Sequence, residues 1–489
     1  MTDLTLDPRD WEDFRRLAHE MADDVVGHLS TVRDRPVWRP VPAEVRAEFD
    51  TPAPLDPTPP AAVYEDFKRH VFPYHLGNTH PRFWGWVCGS GAPVGVLADF
   101  LASAMNPNVP GYDQAASLVE RQVLRWFAEL FGLPPGASGL LVTSGSHANF
   151  VALAVARTAR AGFDVRRLGV AGGPPLTFYC SRETHQCAQK AVEVLGHGSA
   201  ALRRLPVDER FRVDVAALEA AVAADRAAGF RPVCVIGNAG TVNTGAVDDL
   251  AALGSLCRRE ALWLHVDGAF GALAALAPEL RPLVAGIEHA DSVAFDMHKW
   301  MYLPYDVAAV LVRDADAHRA TFELVPNYLA PTGRGVAPES LPFAQLGLDL
   351  SRGFRALKVW MAVKTYGLRA YGAMIAQNVR QAAYLAGRVD AHPELERLAP
   401  APLNVVCFRY APPGTPEDDL AALNQAILVT LQERGIAVPS STVVHGRFAL
   451  RVAITNHRSR QSDFDALVDA VALLGRELSA REAVAVAPR

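Results

Sequence analysis

Trp11, Phe14, Leu17, Met21, Val25 and Leu29 recur at intervals of three and four, which places them on one stripe of an amphipathic helix. The next stretch, RPVWRPVPAEVRAEFDTPAPLDPTPPAA, holds so much proline that regular structure is not expected there. A helix with an unpartnered apolar stripe, followed by an extended arm, is a common way to hold a second subunit; a plain linker is the alternative.

From about residue 115 the texture changes to short apolar runs alternating with helical stretches. GLLVTS precedes ANFVALAVARTAR, LTFYCS precedes HQCAQKAVEVLG, and PVCVIGNAG precedes AVDDLAALGSLCRRE. LWLHVDGAF, SVAFDMHKW and AAVLVRD follow. Continuous Val/Ile/Leu runs between helices predict a mostly parallel sheet covered on both faces. The segment 325–346, VPNYLAPTGRGVAPESLPFAQL, reads as a long loop of the kind that is functional or disordered. Beyond about 389, LNVVCFRY and RFALRVAIT alternate with helices at 416–434 and 461–478, which predicts a smaller α+β domain. There is no internal repeat.

The composition narrows the class. The chain has 489 residues, half of them hydrophobic, and a formal charge of −5 without a basic run. That balance gives no footprint for nucleic acid. No basic segment leads into an apolar run at the N-terminus, and no window is long and apolar enough to span a bilayer, so neither a signal peptide nor a membrane partner is expected. The six cysteines are scattered without metal-ligand spacing, as suits free thiols in a reducing cytoplasm.

Ligands of doubly covered parallel sheets bind beyond the carboxyl ends of the strands. Polar residues cluster at those ends here. SGSHANF joins a strand to a helix: Gly145 allows close backbone approach, Ser146 can cap, and the free amides with the helix dipole suit an anion. Asp267 ends the run LWLHVD, where it could cap a helix, pair an arginine, or hold a pyridine nitrogen protonated. His185 could be an ordinary structural histidine or lie flat on a heterocycle. Lys299 follows SVAFDMH, and it is either a snorkelling side chain or a desolvated amine that captures an aldehyde. An anion cup, a histidine, a carboxylate and a lysine on successive strand ends are together the parts required by pyridoxal 5′-phosphate.

At these residues the chain resembles the group II pyridoxal-phosphate decarboxylases, whose best-known member is aromatic L-amino acid decarboxylase. The resemblance runs through HPRFWGWV, SLVERQVLRWFAELFGLP, TSGSHANFVALAVAR, HVDGAFG, DMHKWMYLPYD, NYLAP, FRALKVWMAVKTYG and LRVAITN. It implies an α/β fold of the PLP-dependent transferase type (fold type I): an N-terminal helix and arm at 1–75, a large cofactor domain at 76–388 and a small α+β domain at 389–489. It implies α-decarboxylation of an L-amino acid, most naturally an aromatic one, in a homodimer with shared active sites. Lys299 would carry the cofactor, Asp267 pair with its ring nitrogen and His185 stack on the ring. Gly145 and Ser146, with His298, would bind the phosphate. Thr241 would sit beside the ring hydroxyl, with Asp296 and Ala269 also near the cofactor. Tyr328, in PNYL, would be the loop acid that reprotonates the α-carbon.

The chain departs from the family pattern in places. TSGSHAN lacks one glycine of the usual TSGGSxAN, and Asp296 stands where the aromatic enzyme has asparagine. In the substrate pocket Trp86 keeps an aromatic position, while Gly89 replaces a threonine. Asn108 and Pro110 stand where the partner subunit would offer an aliphatic and an aromatic residue. An acidic or diamino acid substrate is the second expectation. An aldehyde-forming oxidative decarboxylation is disfavoured by the presence of both Tyr328 and His185.

Overall fold

The computed structural model describes residues 4–324, 326–338 and 340–486; Val325 and Glu339 of the loop lie outside that set. Seven strands form the large sheet: β1 (Ser138–Val142), β2 (Leu176–Ser181), β3 (Leu202–Leu205), β4 (Arg231–Asn238), β5 (Trp263–Asp267), β6 (Ser292–Asp296) and β7 (Ala308–Val312). Their spatial order is β1-β7-β6-β5-β4-β2-β3. Neighbours from β6 through β3 are parallel, and β7 alone runs against the strands on either side of it. Every residue of β2, β5, β6 and β7 is buried, as their unbroken apolar runs require of strands covered on both faces.

Helix Gly145–Arg160 lies across β4 to β7, and a nearly continuous row from Val151 to Ala156 faces the core. Its start is set by Ser144, whose Oγ accepts from His147 N at 3.3 Å. Asp214, Asp249 and Asp314 cap three further helices in the same way, each accepting a first-turn amide.

A second sheet, β8 (Leu395–Arg397), β9 (Val405–Tyr410), β10 (Ser440–Val444) and β11 (Arg447–Ala453), is antiparallel in the order β10-β11-β9-β8. Helices Glu417–Glu433 and Gln461–Val486 cover it, the latter running past the predicted end at 478. Trp84, from far upstream, stacks on Phe464 in that core.

The proline-rich arm is more regular than its composition predicts. Ala43–Ala47 is a short helix followed by a 3-10 turn at Glu48–Asp50. The reason is local: AEVRAEF has no proline between Pro42 and Pro52, and Pro42 sits where a helix tolerates one. The arm is also anchored on its own chain. Val37 packs on Phe83 and Val438 and donates its amide to Gly435 O at 3.1 Å, and Arg33 pairs with Asp463 at 2.8 Å.

Candidate active site

The carboxyl ends of β4, β5 and β6 open onto a cavity of about 290 Å³. Lys299, Asp267, His185, Gly145, Ser146, Ala269 and Trp86 all line it.

β6 ends at Asp296 and passes directly into the single helical turn Met297–Trp300, which points Lys299 back over the sheet end. Lys299 Nζ lies 2.5 Å from Asp296 Oδ2, and the Asp296 side chain is 1 % exposed. Burial alone would depress the lysine ammonium, but Asp296 and then Asp267 outweigh it and hold Lys299 above its ordinary value. Gly145 has a steric reason to be glycine, since a Cβ there would meet Asp296 Oδ2 at 2.6 Å.

Asp267 is 5 % exposed. Its Oδ1 accepts from Ala269 N at 3.1 Å, and Cys187 Sγ lies 3.9 Å from Oδ2. Among the described residues no cation stands within ion-pair distance of it. A buried carboxylate without a counter-charge facing a cavity is costly. A protonated pyridine nitrogen is the kind of partner it lacks, so these residues fit pyridoxal phosphate. Cys187, pushed up by burial and then by Asp267, stays a thiol.

His185 Nδ1 accepts from Cys187 N at 3.2 Å, which leaves the proton of the neutral ring on Nε2. Burial lowers its pKa against the opposing pull of Asp267. The helix that brings Gly145 and Ser146 is held from beneath by a buried chain of polar groups. Asn149 Nδ2 donates to Gly145 O at 2.8 Å, so its Oδ1 must accept from His265 Nε2, also at 2.8 Å. His265 Nδ1 then accepts from Ser292 Oγ at 2.9 Å. Burial pushes His265 down to about 4, so it stays neutral.

Other expected site residues stand elsewhere. Thr241 Oγ1 accepts from Ala246 N at 3.0 Å and shares a hydrogen bond with Thr244, closing its own turn; Val242 and Asn243 reach the cavity wall instead. His298 Nδ1 accepts from Val307 N at 3.1 Å and its ring lies against Tyr305, with Nε2 3.9 Å from Asp296. Gly89 is not on the wall. A Cβ there would collide with the His298 carbonyl and stand 2.6 Å from Lys299 O, so close backbone approach explains that glycine better than a polar pocket does. Asn108, Pro110 and Tyr328 do not line this chain's cavity. Tyr328 sits on a 3-10 turn, 75 % exposed.

Sequence reasoning missed Arg451, a cavity residue on β11. Its Nη1 donates to Trp86 O at 2.7 Å and Nε to Asn243 O at 3.2 Å, while Nη2 is buried without a partner among the described residues. Burial lowers it to about 10. Trp86 has φ of 53°, the left-handed region that an aromatic residue rarely adopts, and Arg451 holds that peptide in place. The signal was available as a lone arginine in the apolar run FALRVAI.

Residues 42–411 match the family model described as the pyridoxal-dependent decarboxylase conserved domain. The chain is 33% identical over 472 residues to an aromatic-L-amino-acid decarboxylase of Bacillus atrophaeus, covering 96% of each. It is 29% identical over 481 residues to a histidine decarboxylase of Homo sapiens, covering 92% of this chain and 69% of that one. A crystal structure of Oryza sativa TDC with PLP and tryptamine superposes with a TM-score of 0.88 at 28% identity, covering 97% of this chain and 100% of the other. With its fold type I sheet and its lysine-bearing strand end, the chain belongs to the pyridoxal-dependent decarboxylase family and is a pyridoxal-phosphate-dependent amino acid decarboxylase.

Proposed function

We propose that the enzyme removes the α-carboxylate of an aromatic L-amino acid and releases the amine and CO2. One observation carries this reading: Trp86, Val87 and Phe270 line the same cavity as Lys299, Asp267 and His185 and give it an apolar, partly aromatic wall. Bound pyridoxal phosphate supplies the electron sink for the pair left on the α-carbon when CO2 departs. Lys299 would hold the cofactor covalently, Asp267 would keep its ring nitrogen protonated, and the first turn of helix Gly145–Arg160 would take the phosphate. His185, its proton on Nε2, orients the departing carboxylate. Tyr328 donates the proton that replaces CO2.

Because Tyr328 lies away from its own chain's cavity, it acts in this reading on the cavity of a second copy. The surface supports a homodimer: Leu97, Phe100, Leu101 and Met105 on helix Pro93–Met105 are exposed together, as are Trp11 and Phe14 on the first helix. A cytoplasmic location is supported by six free cysteines.

An acidic substrate is the second reading, favoured by the unpaired, buried Nη2 of Arg451 at the cavity. A panel of Phe, Tyr, Trp, DOPA, His, Glu and 2,4-diaminobutyrate, scored for CO2, amine and aldehyde, tests both. Turnover of the aromatic acids to equal amounts of CO2 and amine supports the first reading. Preference for Glu overturns it.

A further inference from the structure

Glu120 and Arg352 form an ion pair whose side chains are 1% and 2% exposed. Arg352 Nη2 stands 2.5 Å from Glu120 Oε1 and Nη1 3.2 Å from Oε2. Replacing such a pair by apolar groups is often neutral or stabilising, so its burial alone does not explain its presence. Its remaining contacts do, because they reach three separate segments.

The first is the outer edge of β1. Glu120 Oε1 accepts from Leu141 N at 3.1 Å, and Arg352 Nη2 donates to Leu141 O at 2.7 Å. The pair thus satisfies β1 as a neighbouring strand would, on the edge away from β7, just before the chain turns into Ser144 and Gly145. The second is the 108–110 segment. Arg352 Nη1 donates to Val109 O at 2.7 Å, Val109 N donates to Arg352 O at 2.9 Å, and Arg352 N donates to Asn108 Oδ1 at 2.8 Å. The third is the foot of the loop that carries Tyr328. The Arg352 guanidinium lies 5.0 Å from the Phe343 ring centre, and Phe343 N and Ala344 N both donate to Pro110 O, at 3.0 and 3.1 Å. Only the fixed fork of a guanidinium can serve so many acceptors from one buried position. The loop beyond has little packing of its own: Tyr328 and Val336 are 75% and 69% exposed. Within this chain its placement depends on its foot and on Asp113 N, which donates to Val336 O at 2.9 Å.

We propose that Glu120 and Arg352 are a positioning pair for the reaction, fixing the C-terminal foot of the Tyr328 loop to the 108–110 segment and to the end of β1. This rests on Tyr328 being the proton donor. Glu120→Gln leaves a buried guanidinium without its counter-charge and is expected to cost folding, so the test uses Glu120→Leu/Arg352→Met, which removes both charges together. Because Leu141 N, Leu141 O and Val109 O lose these partners, its melting temperature is measured alongside and cleavage is compared at equal fractions folded. The wild type, this double variant and Tyr328→Phe are compared as loaded enzymes. In the double variant, trypsin should cut after Arg334 on the order of tenfold faster, with other sites unchanged. Its kcat for amine should fall more than its KM moves, and its products should shift toward aldehyde in the direction of Tyr328→Phe. Wild-type cleavage after Arg334, or equal acceleration at every site, overturns the proposal. So does an unchanged amine-to-aldehyde ratio when Tyr328→Phe changes it. If Tyr328→Phe itself makes amine at the wild-type rate with no aldehyde, the proton-donor reading falls, and selective cleavage after Arg334 alone decides whether the pair anchors the loop.

Discussion

Asp267→Asn should act with opposite sign on the empty and the loaded protein. In the empty protein the carboxylate is 5 % exposed, accepts one backbone amide at 3.1 Å, and has no cation within ion-pair distance among the described residues. Asparagine keeps the acceptor for Ala269 N and removes the buried charge, so the empty variant should melt at the same temperature as wild type or higher. In the loaded protein the same change replaces a charge-assisted hydrogen bond to the ring nitrogen by a neutral one. Charge-assisted bonds are worth about 1.5–3 kcal/mol and neutral ones about 0.5–1.5 kcal/mol, so the loss is about 1–1.5 kcal/mol, roughly 5- to 13-fold in cofactor affinity. Amine formation should fall by orders of magnitude, because a neutral pyridine is a poor electron sink. The assay is a cofactor titration followed by absorbance, alongside thermal melts with and without cofactor. A variant that binds cofactor as tightly as wild type, or whose empty form is clearly less stable, refutes the reasoning.

Other outcomes follow from the same geometry. Tyr328→Phe should leave cofactor binding intact and divert product from amine toward aldehyde, ammonia and peroxide, detectable by coupled oxidase-type assays; unchanged amine output rules out this tyrosine as the acid. Burial pushes His265 and His318 down to about 4. Unfolded histidines protonate near pH 6.5, so the stability from keeping these two neutral is complete above that pH and is lost on acidification toward pH 4, up to about 3 kcal/mol each. Denaturant midpoints that stay flat from pH 7 to 4.5 contradict this. Phe100→Asp, on the exposed apolar face, should yield monomers in sedimentation and abolish amine formation; an active monomer removes the case for shared sites.

Strands with unbroken apolar runs were legible because burial on both faces leaves no other composition open to them. β3, LRRL, was not, because its two arginines interrupt the run, and β10, SSTVV, reads as turn chemistry until its partner strand is known. The arm was misread where the nine proline-free residues between Pro42 and Pro52 suffice for a helical turn. In the cavity, the lysine, aspartate and histidine were visible as polar residues at strand ends. Arg451 was hidden by its strand, and Gly89 carried a steric meaning that appears only once two distant backbones meet. The Glu120–Arg352 pair spans more than two hundred residues and has no local signature at all.

The most direct test of the account is chemical. The protein is loaded with pyridoxal phosphate, reduced with borohydride and digested, and the pyridoxyl group is mapped by mass. The account predicts a single modified site, Lys299, lost in Lys299→Ala together with all amine formation. Modification of another lysine, or turnover by Lys299→Ala, would contradict it.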